Sequence, residues 1–105
     1  MQINTKIILK NLKGICLENE EKEPFTMGEA MSNILLYDKT GGKMKCFVLA
    51  EKLYKNKSVE IDEADLSLIK DAIQRTELYN NIVNGQLLTF IEELKESKKE
   101  VEDKK

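Results

Sequence analysis

Catalysis near neutral pH usually rests on histidine, and none of the 105 residues of this sequence is one. The chemistry left to the chain lies in two cysteines, a set of carboxylates and a run of lysines. Cys16 and Cys46 have no histidine base to activate them, and two thiols fall short of the four ligands of a structural zinc site. Both are expected to serve as small buried hydrophobes. The carboxylates gather at 18–23 and at Glu60, Asp62, Glu63 and Asp65, without the alternating oxygen ligands and glycine of a calcium loop. The second group reads as the acidic start of a helix. Gly41-Gly42-Lys43 ahead of a helix is the nearest approach to a phosphate loop. Asp38 stands close to where that loop needs its leading glycine, and Met44 follows the lysine in place of Ser or Thr. A turn between helices explains the segment better. No catalytic residue, cofactor or metal ligand is assigned.

The lysines are more informative. Lys39, Lys43, Lys45, Lys52, Lys55 and Lys57 meet only Glu51 within 39–57, and Tyr37, Phe47 and Tyr54 accompany them. Cations beside aromatic rings can hold phosphates and stack bases, so Lys39, Lys43, Lys45 and Lys52 form a candidate nucleic-acid surface. Phe47 and Tyr54 fit the apolar side of a helix equally well. The single arginine, Arg75, and a net charge of −2 from 17 basic and 19 acidic side chains weigh against that surface.

The elements that would position these groups follow from local pattern. Ile3, Thr5, Ile7, Ile8 and Leu9 precede a turn signal at Asn11-Leu12-Lys13-Gly14, and Ile15-Cys16-Leu17 follows it, which predicts a β-hairpin. A polar acidic loop over 18–24 ends at the only proline. Thr26 and Glu29 have capping-box spacing ahead of Met27, Ala30, Met31, Ile34 and Leu35, predicting a helix over 27–37. A second helix is predicted near 43–55, its apolar arc wide enough to touch more than one neighbour. After an extended link at 57–61, Asp62 caps a third helix, with Asp65 at the third helical position and Ile61 and Leu66 placed as a hydrophobic staple. A fourth helical pattern runs to Leu94. Asn80, Asn81, Asn84 and Gly85 weaken its beginning, so 77–84 suits either a loop or a helix.

A composition 41% hydrophobic and 34% charged belongs to a folded domain with a charged surface. The expected architecture is α+β, an N-terminal β-hairpin packed against three to four short α-helices. Residues 1–94 make a single compact domain without internal repeat, and 95–105 a charged C-terminal tail. No apolar run approaches the ~20 residues needed to cross a bilayer. Lys6 and Lys10 bracket the only apolar triplet near the start, so no membrane role and a reducing cytoplasm are expected. Leu36, Tyr37, Leu78 and Tyr79 fall outside the best inner rows and are the candidate partner-binding residues.

In chain order, NLKG, PFTMGEAMSNILL, KCFVLAEKLYKNKSVEIDEADLSLIKDAI and VNGQLLTFIEEL resemble a group of short proteins encoded in tailed bacteriophages and prophages. The similarity covers most of residues 3–94. Its motifs are folding signals, so the resemblance implies a virus-linked setting inside a bacterial host cell and transfers no functional residue. The expected function is a non-enzymatic interaction protein that docks on a host or viral protein, or on itself. Virion assembly and inhibition of a host factor both suit such a protein. The alternative is a small nucleic-acid-binding regulator using the lysine-rich segment 39–57.

Overall fold

Ile3 is wholly buried although it stands third in the chain, and its partner explains why. Strand β1 (Gln2–Asn4) pairs antiparallel with β2 (Ser58–Glu60), matching Gln2 with Glu60, Ile3 with Val59 and Asn4 with Ser58. Alternation along both strands turns Ile3 and Val59 inward and their neighbours to solvent. The computed structural model describes residues 2–103, with side chains through Lys95. The expected extended link at 57–61 is thus a strand whose partner lies at the far end of the sequence. Thr5 secures the closure. Its N–H donates to the Lys57 carbonyl at 3.0 Å, its hydroxyl donates to the Asn56 carbonyl, and its own carbonyl accepts from Gly28 N–H at 3.1 Å.

The segment that follows holds the expected hairpin in reduced form, as one antiparallel bridge between Lys10 and Cys16 around the Asn11–Gly14 turn. Two further bridges, Glu18 with Pro24 and Ile8 with Thr26, extend it into a closed figure. Leu17 N–H donates to the Leu9 carbonyl (2.8 Å), Phe25 N–H to Leu17 (2.8 Å), and Leu9 N–H to Phe25 (2.9 Å). Three stretches of backbone therefore satisfy one another in a ring. Each of the first two corners is a turn headed by asparagine. Asn11 Oδ1 accepts from Lys13 and Ile15 N–H, and Asn19 Oδ1 accepts from Glu21 and Glu23 N–H, all at 2.9–3.0 Å. Three positions after each asparagine the backbone is left-handed, at Gly14 (φ 84) and Lys22 (φ 64).

These turns form a tandem eight-residue repeat, a correction to the expectation of none. Leu9-Lys10-Asn11 and Leu17-Glu18-Asn19 begin the two copies, and Phe25 begins a third in which helix α1 (Met27–Tyr37) replaces the turn. Only leucine and asparagine coincide between the first two copies, which is too little for recognition by composition. Lys10, on the outward side, has its N–H and carbonyl both taken by the Gln86 side-chain amide (3.0 and 2.6 Å).

Helix α1 opens as expected on Thr26, whose hydroxyl accepts from Glu29 N–H at 3.2 Å. The Glu29 carboxylate does not complete a capping box; it accepts from Asn19 Nδ2 at 3.0 Å, tying the helix start to the second turn. Gly28 matters here because a Cβ on it would lie 2.5 Å from the Leu53 carbonyl oxygen and 2.6 Å from Thr5 Cβ. Only glycine lets α1 begin against the end of α2 (Lys43–Lys55). Helix α3 (Glu63–Arg75) carries a full capping box: Asp65 N–H donates to Asp62 at 2.7 Å and Asp62 N–H to Asp65 at 3.4 Å. That bond from Asp65 N–H holds the Asp62 carboxyl below its ordinary range.

Helix α4 (Asn81–Asp103) divides the uncertain stretch 77–84: 77–80 is a loop and 81–84 is helix. Asn80 Oδ1 accepts from Val83 N–H (3.2 Å), so a residue that weakens helix interiors serves at the boundary. The helix continues into the charged tail; Lys104 and Lys105 lie outside the described residues. Helix α1 packs against all three other helices, and Met31, Ile34, Leu53, Ile69 and Leu87 are among the side chains removed from water where they meet.

Candidate functional site

Residues 38–42 join α1 to α2 in a turn built around one carboxylate. Asp38 accepts from Gly41 N–H (3.1 Å) and Thr40 N–H (3.5 Å), and receives Arg75 Nη2 (2.8 Å) and Nε (3.3 Å) from the end of α3. The Arg75 hydrogen bonds hold the Asp38 carboxyl below the ordinary aspartate value of 3.8; burial pulls the other way and the two N–H groups assist. The same bonds raise Arg75 further. The Gly41-Gly42-Lys43 segment thus spends its turn amide on the chain's own carboxylate, as an interhelical turn does. A Cβ on Gly41 would crowd Asp38 Oδ2 and Cys46 Sγ, each at 2.9 Å.

The ion pair borders a cleft of 370 Å³ between the ends of α1 and α3, lined among others by Ile34, Tyr37, Lys39, Ala72 and Leu78. Three residues singled out in the sequence, Tyr37, Lys39 and Leu78, meet there. Leu36 is exposed but is not part of the lining. Tyr79 goes elsewhere. Its ring packs 5.3 Å from that of Phe25, its hydroxyl accepts from Asn33 Nδ2 at 2.8 Å, and it is only partly exposed at the margin of the core. Burial pushes its pKa up, with the Asn33 bond opposing. It is a packing residue in this fold.

A second surface was hidden in the wide apolar arc of α2. Cys46, Leu49, Ala50 and Leu53 face the core at i, i+3, i+4 and i+7. At about 100° per residue, Met44 and Val48 fall opposite that face and Phe47 and Tyr54 on its flank. In that order they are 73, 43, 53 and 62% exposed. The helix does meet two neighbours, α1 and β2, but they cover one side of the arc and leave the other facing solvent. Phe47 and Tyr54, which fitted a core equally well, are outside it. Lys43, Lys45, Lys52 and Lys55 are exposed around the row; Lys45 lies 3.8 Å from Asp65, and Lys55 lies 3.8 Å from Glu51. The candidate nucleic-acid lysines Lys43, Lys45 and Lys52 therefore sit on this helix, and Lys39 stands apart in the cleft. The clue available beforehand was the number of apolar residues in α2, more than one buried stripe can absorb.

Of the two thiols, Cys46 is buried as expected and Cys16 is exposed, which corrects the expectation for the latter. Burial raises the Cys46 thiol, and the charge of Asp38 adds to the shift. Among the described residues no group of three or more cysteines and carboxylates gathers to hold a cation, and no helix is long and apolar enough to cross a membrane. Set against known protein families, curated proteins and solved structures, the chain matches none. What fold and surface define is a small α+β domain that presents a basic, apolar helix face.

Proposed function

We propose that this chain is a non-enzymatic interaction domain that docks on a protein partner through the outer face of α2, with the Tyr37–Leu78 cleft beside α1 as a secondary contact. The observation that supports the reading is the row Met44, Phe47, Val48 and Tyr54. These side chains share the solvent side of a regular helix, with Glu51 and Lys55 between them, left in water by a fold that has a well-filled core elsewhere. Aromatic and long aliphatic side chains of this kind supply most of the energy of interfaces. The setting proposed is the one implied by the sequence resemblance, a phage or prophage protein acting in virion assembly or on a host factor.

The test is a photo-reactive amino acid placed at Val48 and, as a control, at the exposed Gln74 of α3. Illumination in the producing cells is expected to yield a discrete protein adduct from position 48 alone, abolished by Phe47→Glu. Equal adducts at both positions, or none, would count against the reading.

One observation favours a second reading. Tyr37, Phe47 and Tyr54 all face solvent near lysines, an arrangement suited to stacking single-stranded bases. Mobility shift of a mixed-sequence single-stranded oligonucleotide at roughly 50 and 200 mM salt separates the two. A complex at low salt that weakens tenfold or more at the higher salt would establish nucleic-acid binding; absence of a complex at either leaves protein docking.

A further inference from the structure

Resting on that reading, we infer that the partner of the α2 face is an acidic amphipathic helix. Met44, Phe47 and Val48 stand at i, i+3 and i+4, and Tyr54 lies two turns beyond Phe47, a short apolar ridge of the kind one helix offers to another crossing it. The charge around these side chains is mostly positive: Lys43 and Lys52 lie on the flanks, Lys45 stands 3.8 Å from Asp65, and Glu51 and Lys55, 3.8 Å apart, lie between the apolar residues. Carboxylates on the partner's flanks would complete the charge pattern, and lysines there would be repelled.

The start of α2 points the same way. Helices α1 and α3 each open on a side-chain cap with carboxylates in the first turn. Helix α2 opens on Gly42 with no side-chain cap, no acidic residue in its first turn, and Lys43 and Lys45 at the positive end of the helix dipole. Both cations oppose the helix's own field, and of the two only Lys45 has a carboxylate of the fold beside it, Asp65 at 3.8 Å. Acidic side chains from outside would relieve that field while pairing with the lysines.

Other occupants fit less well. A second copy laid face to face on the row would bring lysines against lysines. Nucleic acid would find Met44 and Val48, which cannot stack, and the chain's one arginine is bonded to Asp38 in the cleft.

Two lactam-stapled helical peptides of equal length provide the test. They share leucines at i, i+3, i+4 and i+7, and carry glutamates on the flanks of one and lysines on the other. Titrated into isotope-labelled protein, the glutamate peptide is expected to shift amide resonances within 43–55, and the lysine peptide to bind at least tenfold more weakly. Phe47→Glu and, independently, Lys45→Gln/Lys52→Gln should each weaken the glutamate peptide several-fold, with unchanged thermal melting showing that both variants fold. Equal binding of the two peptides, no binding of either, or shifts centred outside 43–55 would overturn the inference. Tighter binding at the same amides by oligo-dT or by phosphatidylglycerol vesicles would do so as well. A protein adduct at position 48 alongside a silent glutamate peptide would retain the docking reading and remove only this partner class.

Discussion

Among single residues, Asp38 and Cys46 show how place in the fold sets chemistry. The Asp38 side chain is 6% exposed and its partner Arg75 38%, so the pair is half in water and its strength is moderated accordingly. Because the folded state favours the ionised carboxylate, the pair's contribution is complete above the ordinary value of 3.8 and disappears as pH falls through the lowered one. Asp38→Asn is expected to lose roughly 1–2 kcal/mol in urea denaturation at pH 7. The gap from the parent should shrink as the pH is taken below about 4. A gap independent of pH would deny the ion pair its role. For the thiols, a colorimetric titration of the native protein should report one reactive group, Cys16, with Cys46 answering only in denaturant.

At the level of elements, the paired turns are an internal comparison. Leu12 is 92% exposed at the tip of the first, and Glu20 holds the matching position eight residues on in the second. The turn therefore forms with either side chain, because its geometry is fixed by Asn11 and by the left-handed residue rather than by the tip. Leu12→Glu should leave stability within about 0.5 kcal/mol. Asn11→Ala removes two accepted backbone hydrogen bonds and should cost about 1–2 kcal/mol by the same measurement. Gly28→Ala, which drives a methyl into the Leu53 carbonyl and Thr5, should cost about 1–3 kcal/mol. Gly85 makes a useful control, since a Cβ there meets nothing within 4 Å.

Over the whole molecule, the same residue types are divided between two tasks. Ile3 is buried where β1 meets β2, and Met44 stands in water on α2. Truncation of Ile3 to alanine should cost about 2–5 kcal/mol, and Met44→Ser less than about 0.5 kcal/mol, in denaturant melts of the two variants. Similar losses for both would mean that the α2 face belongs to the core. The bounds of α1, α2 and α3, their caps at Thr26 and Asp62, and the α+β composition were legible in the sequence. Each depends on interactions between residues at most four or so positions apart. The pairing of residues 2–4 with 58–60, the ring joining Leu9, Leu17 and Phe25, and the docking of Gln86 on Lys10 were not legible. The first and last join positions whose separation leaves no periodic trace. In the ring only the Leu9–Leu17 side was foreshadowed, by the turn signal at Asn11–Gly14, and the eight-residue spacing to Phe25 is marked by too few shared residues to read. The wide arc of α2 lies at the boundary between the two: local pattern established that it is apolar on more than one side. Only the placement of α1 and β2 decided that Leu49 and Leu53 go in and that Phe47 and Tyr54 stay out, because a helix cannot choose which stripe to bury until its neighbours arrive.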